Sequence, residues 1–142
     1  MKSVHVLLVE DNEGDVFLTT EALEDSKFVG EISIARDGQE ALDYVFKTNG
    51  FEDRNTPDLI LLDVNLPKKS GHEVLEELKA HPIHKRIPVI MLTTSSSRRD
   101  IDRCYENHAN CYITKPVEVN DFLEAISSIE QFWMNIASLP CG

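Results

Sequence analysis

The chain has 142 residues, 42% of them hydrophobic and 27% charged, which suits one domain whose core needs neither disulfides nor a structural metal. Acids outnumber bases 25 to 14, and the net charge of −11 sets the overall field against nucleic-acid phosphates, so a protein partner is expected and a nucleic acid is not. No apolar run nears the roughly 20 residues of a membrane span, the first residues carry no secretory pattern, and Cys104, Cys111 and Cys141 lack the spacing of a disulfide framework or zinc site, so the chain reads as cytoplasmic with no membrane contact.

Five short apolar runs follow one another: Val4 to Val9, Ile32 to Ala35, Leu59 to Leu62, Ile87 to Leu92, and Cys111 to Ile113. Between them lie segments of helical spacing, such as Ala41, Leu42, Val45, Phe46 and later Val74, Leu75, Leu78. Helix starts are marked by Asp37 with Glu40, Ser70 with Glu73, and Ser97 with Asp100, each a capping side chain ahead of a first-turn acid. Residues 49–57 hold turn formers without periodicity and predict a surface loop. His81 and His84 stand three apart beside Pro82 with no Cys or second His pair near them in sequence, and read as a solvated helix end. Continuous apolar strands alternating with amphipathic helices require a parallel sheet covered on both faces, so the predicted class is α/β, a doubly wound five-stranded parallel sheet.

The last helix is predicted to run long, with Phe122, Ile126, Ile129, Trp133 and Ile136 in one stripe. Extending from about Val119 to Ala137, it would measure about 28 Å against about 17 Å for a five-residue strand. The overhang leaves Trp133 and Ile136 without cover from the sheet. Either the tail folds back over them or another chain covers them; a homodimer through this helix and the neighbouring fourth-helix face is expected, with Phe132, Trp133 and Ile136 at its interface.

In an open α/β sheet the functional crevice lies beyond the carboxyl ends of the strands. Polar residues crowd there: Glu10-Asp11-Asn12 after the first run, Asp63-Val64-Asn65 after the third, Thr93 onward after the fourth, and Thr114-Lys115-Pro116 after the fifth. Any one of them has a plain structural reading. Acids cap helices, aspartate favours turns, and a lone lysine is usually a solvated charge. Their joint placement points further. Glu10, Asp11 and Asp63 side by side would raise one another's pKa unless a hard divalent cation such as Mg²⁺ neutralises them. With that cation and Lys115 holding phosphoryl oxygens, a carboxylate can attack phosphorus and become an aspartyl phosphate.

On these residues the chain resembles the receiver domain of two-component response regulators over about residues 3–130, leaving 131–142 as a C-terminal helix extension and tail. Leu7-Leu8-Val9-Glu10-Asp11-Asn12 is similar to the family's acidic first-strand motif, and Leu59 to Pro67 with Gly71 is similar to its phosphoacceptor motif. The resemblance implies a flavodoxin-like (β/α)5 fold with Asp63 as phosphoacceptor. It also implies Glu10, Asp11, Asp63 and the Asn65 carbonyl as the metal shell, Thr93 and Tyr112 as the switch pair, Lys115 as the family's lysine, and a cis peptide at Pro116. Asn65 and Ser95 fall where the family tunes phosphate lifetime. Asn65-Leu66-Pro67-Lys68-Lys69-Ser70-Gly71, the 49–57 loop and the tail Phe132-Trp133 to Leu139-Pro140 are similar to response regulators paired with phytochrome kinases, which implies a sensor histidine kinase as donor and a downstream protein or phosphotransfer partner as receiver of the signal.

Two other classes share parts of this pattern. A flavin electron carrier needs a phosphate cradle after the first strand, where this chain has four acids in the six residues Glu10 to Asp15. An aspartate-nucleophile phosphohydrolase resembles a pattern with a second Asp two residues past the nucleophile, where this chain has Asn65. A switch without substrate turnover is therefore expected rather than an enzyme.

Overall fold

A computed structural model of the chain describes residues 3–26, 29–94, 98–106, 108–115, 117–118 and 120–125. Its elements run β1 (Val4–Val9), α1 (Glu13–Glu24), β2 (Val29–Ala35), α2 (Gly38–Phe46), β3 (Leu59–Asp63), α3 (Gly71–Ala80), a 3-10 turn (His84–Arg86), β4 (Val89–Thr93), α4 (Arg98–Glu106) and β5 (Cys111–Thr114), with helix again over 120–125. The strands form one sheet in the order β2-β1-β3-β4-β5, every pair parallel. The five-stranded doubly wound expectation holds.

Alternation along each strand sends side chains to two separate cores. Leu7, Val9, Ile60, Leu62, Val89 and Met91 pack under α2 and α3, whose Ala41, Leu42, Val45, Val74, Leu75 and Leu78 complete one cluster. Val6, Leu8, Leu59, Leu61, Ile90, Leu92 and Ile113 face the other way, toward Val16, Ala22 and Leu23 of α1 and toward Phe122 and Ala125. Both faces of the central strands are thus dry, which is why those strands read as continuous apolar runs.

Two boundaries differ from the apolar runs. β2 starts at Val29 rather than Ile32, because an edge strand can expose Gly30 and Glu31 while still pairing with β1. β4 starts at Val89 rather than Ile87, because Pro88 has no N–H to give a ladder, although its carbonyl accepts from Ile60 N at 3.0 Å. The predicted caps form where described: Asp37 accepts from Glu40 N, and Ser70 with Glu73 makes a reciprocal capping box. Ser95, Ser97, Pro116, Phe132, Trp133 and Ile136 lie outside the described residues, so the cap at Ser97, the cis peptide and the interface rest on sequence.

His81, which ends α3, and His84 are half-buried and form a ring cluster with Phe46 at that helix end. Their centroids are 4.4 Å apart, and each lies within 5.4 Å of Phe46. His81 Nδ1 accepts the N–H groups of Ile83 and His84, both at 3.2 Å. Burial first, then the charges of His81 and Lys47, hold His84 below the ordinary imidazole pKa. On acidification the unfolded chain therefore takes up a proton that the fold resists, so this group's stabilisation is present above the ordinary value and is lost as pH falls through the lowered one. His84→Gln is expected to flatten the fall in melting temperature between about pH 7 and about pH 5. An unchanged slope in thermal denaturation across that range would clear His84 as its source.

Candidate functional site

Strand order reverses between β1 and β3, and the crevice at such a switch point is where α/β sheets hold ligands. Glu10 follows β1, Asp63 and Thr93 end β3 and β4, and Lys115 follows β5. Glu10 is wholly buried, and Asp63 and Thr93 are each 2% exposed, which is far from the usual place of such side chains. Asp11 is exposed at the rim. Backbone bonds fix the strand ends to one another: Glu10 N to Ala35 O at 3.0 Å, Val64 N to Leu92 O at 2.9 Å, and Lys115 N to Thr93 O at 2.8 Å.

The Lys115 ammonium is the hub. It donates to Glu10 Oε2 at 2.7 Å, Asp15 Oδ2 at 2.9 Å and Asp63 Oδ2 at 3.1 Å. Burial pulls its pKa down, but the bonds to Glu10, Asp15 and Asp63 outweigh burial and the net shift is upward, so the group stays charged. Burial also pushes Glu10 up to about 7, reinforced by the neighbouring Asp63 and only partly offset by the bonds from Lys115 and from Asn12 N. One ammonium does not neutralise the cluster.

Glu10, Asp11 and Asp63 can each turn one carboxylate oxygen inward so that the three lie within 4.8 Å of one another. Lys115 occupies only one oxygen of Glu10 and one of Asp63. Of the others, Glu10 Oε1 accepts from Asn12 N at 3.2 Å and Asp63 Oδ1 from Asn65 N at 3.1 Å, each a single bond to an oxygen with two lone pairs. An all-oxygen donor set of this kind, with an uncompensated negative charge, fits a hard divalent cation of the Mg²⁺ or Mn²⁺ type.

Backbone contacts hold the loop carrying Asp63 in place. Gly71 N donates to Val64 O at 2.9 Å, and Gly38 N to Pro67 O at 3.3 Å. At both glycines the loop passes where a side chain would be. A Cβ at position 71 would lie 2.1 Å from Asp63 O, and one at position 38 would lie 2.1 Å from Lys69 O.

The structure brings Glu10, Asp11, Asp63 and Lys115 together as the strand-end argument expects, and it seats Thr93 on the strand beside Asp63. Asn65 is exposed, with its backbone N–H on Asp63. Tyr112 is half-buried against the α2 and α3 side of the core, its ring edge-on to Tyr105 at 5.9 Å. The structure adds Asp15 to the cluster, a residue that the strand-end argument does not reach because it lies within the first turn of α1. The available signal was the density of acids from Glu10 to Asp15. Among the described residues no helix is long and apolar enough to cross a membrane.

Residues 6–127 match the family described as response regulator receiver domain. The chain is 44% identical to response regulator Rcp1 of Synechocystis sp. over 96% of its own length and 93% of that protein's. Among solved structures it resembles the phosphorylated cyanobacterial phytochrome response regulator RcpA, with 45% identity, a TM-score of 0.80, and coverage of 97% of this chain and 99% of that one. It equally resembles the Mn²⁺-bound form of Rcp1, with 43% identity, a TM-score of 0.79 and the same coverage.

Proposed function

Because this chain belongs to the response-regulator receiver family, we propose that it is a phosphorylation switch in which Asp63 accepts a phosphoryl group from the phosphohistidine of a sensor kinase. The observation that carries the reading is the buried Asp63 carboxylate held 3.1 Å from the Lys115 ammonium within a cluster of acids. An Asp63 oxygen forms the new bond to phosphorus while the donor's N–P bond breaks and its electron pair returns to the imidazole. Lys115 holds an oxygen of the phosphoryl group in flight, so charge is met as it develops. Glu10, Asp11, Asp63 and the Asn65 carbonyl would hold Mg²⁺, which supplies the positive charge that lets two anions approach.

The product carries extra charge at the end of β3. Thr93, on the neighbouring strand end, turns its hydroxyl toward the new oxygens, and Tyr112 moves into the space so opened. Output follows by protein contact near α4 and β5, in the cytoplasm, without turnover of small substrates. The likeness to phytochrome response regulators supports a phytochrome-type kinase as donor. The receiver unit spans residues 3–130, and residues 131–142 extend the last helix into a homodimer contact around Phe132, Trp133 and Ile136.

The test is direct. With acetyl phosphate and Mg²⁺ the intact mass is expected to rise by one phosphoryl group, and chelation of the metal is expected to prevent the rise. A purified phytochrome-type kinase is expected to transfer faster than an unrelated histidine kinase. A chain that stays unlabelled with donor and metal present ends the reading.

A further inference from the structure

We propose that Asp15 is a positioning residue that aims the Lys115 ammonium at the phosphoryl group on Asp63, an inference that rests on the function argued above. An ammonium has three N–H donors, and here they go to Glu10, Asp15 and Asp63. When Asp63 carries phosphate, a phosphoryl oxygen takes over the third donor, which makes the longest of the three bonds. Glu10 and Asp15 keep the other two. Two fixed donors of a tetrahedral ammonium set the direction of the third. With Glu10 alone, the group turns about a single axis at the end of a flexible four-carbon stem.

The local chemistry of α1 shows that Asp15 is turned toward the site rather than engaged in capping. Asp15 stands at the third helical position, whose acid in a reciprocal capping box reaches back to the N–H of the capping residue. Asn12 does its half of that arrangement, accepting from Asp15 N at 2.9 Å. The other half belongs to Glu10, whose Oε1 accepts from Asn12 N at 3.2 Å. Glu10 thus takes the task that would occupy the Asp15 side chain, and Asp15 Oδ2 reaches Lys115, 100 residues away in sequence. Glu10 is buried while the Asp15 side chain is 30% exposed, so Asp15 forms the outer wall of the clamp and tolerates substitution.

Full-length Asp15→Asn and Asp15→Ala are compared with the natural chain at saturating Mg²⁺ over a range of acetyl phosphate concentrations. Asn keeps an oxygen for Lys115 and loses only charge, whereas Ala loses both. Asp15→Ala is expected to label about tenfold more slowly at saturating donor, at unchanged half-saturation, while Asp15→Asn stays within about threefold of the natural chain. NMR of the Lys115 ammonium reads the clamp without any phosphate: its protons are expected to exchange with water faster in Asp15→Ala than in Asp15→Asn. Equal labelling by Asp15→Ala and the natural chain overturns the proposal, as does an Asp15→Asn as slow as Asp15→Ala, which would make the effect one of charge. A natural chain that takes no label fails the acceptor reading instead, and the exchange comparison still decides whether Asp15 holds Lys115.

Discussion

Asp63→Asn is expected to take up no phosphoryl group under conditions that label the natural chain completely, while keeping its fold. The amide has nearly the shape of the carboxylate, but its oxygen is a poor nucleophile and the negative charge that draws in the divalent ion is gone. It also has one acceptor where two are used. Asp63 Oδ1 takes the Asn65 N–H and Oδ2 takes Lys115, so an amide in either orientation sets its NH₂ against one of these donors. Leaving a buried donor unpaired costs about 1–3 kcal/mol. Removing a buried like charge beside Glu10 works in the other direction, since the Asp63 charge is among the causes that raise Glu10. The two effects oppose, and the melting temperature is expected to stay within a few degrees of the natural chain's. Intact-mass measurement checks the first outcome and thermal denaturation the second. Phosphate on a well-folded Asp63→Asn would mean that the acceptor lies elsewhere.

The framework of this site is legible in the sequence because it depends on backbone periodicity. Apolar runs mark the strands, and in a parallel sheet all strands end on one side, so residues just past each run are neighbours whatever their separation in the chain. That is how Glu10, Asp63, Thr93 and Lys115 come together on paper. The reach of side chains follows no such rule. Asp15 looks like a helix-capping acid by position, and only the structure shows that Glu10 has taken the capping N–H and that Asp15 points to Lys115. The opposite end of the sheet holds a comparable case. Tyr44 OH donates to Ser33 Oγ at 2.9 Å, and His5 Nε2 lies 2.9 Å from the same oxygen and 3.0 Å from Glu31 Oε2, a polar group under α2 that no local spacing announces. Glycines are opaque for a related reason. Gly38 looks like an ordinary helix-start residue, and Gly71 is marked only by its resemblance to the phosphoacceptor motif; the backbone that crosses each of them comes from another segment.

Gly71→Ala is expected to be the most damaging small substitution near the site. The added Cβ would stand 2.1 Å from Asp63 O, 2.8 Å from Val64 Cα and 2.9 Å from Asp63 C, all of them backbone atoms, so no flexible side chain can swing away. Relief requires moving either β3 or α3. The end of β3 is held by Val64 N on Leu92 O, and α3 is held by the fully buried Val74, Leu75 and Leu78. Overpacking of this kind typically costs about 1–3 kcal/mol. Whichever element yields, the Asp63 carboxylate shifts against Lys115, so labelling is expected to slow even in the molecules that remain folded. Gly14→Ala is the matched control. Its Cβ would meet only Asn12 Oδ1, at 3.2 Å and on a side chain, in the first turn of α1, where alanine suits the helix and the net change should stay under about 1 kcal/mol. Urea denaturation of both variants, with labelling rates measured where each is folded, separates the two positions: equal midpoints for Gly71→Ala and the natural chain would show that the strand end has room to move, and with it that Asp63 is not held by backbone contact.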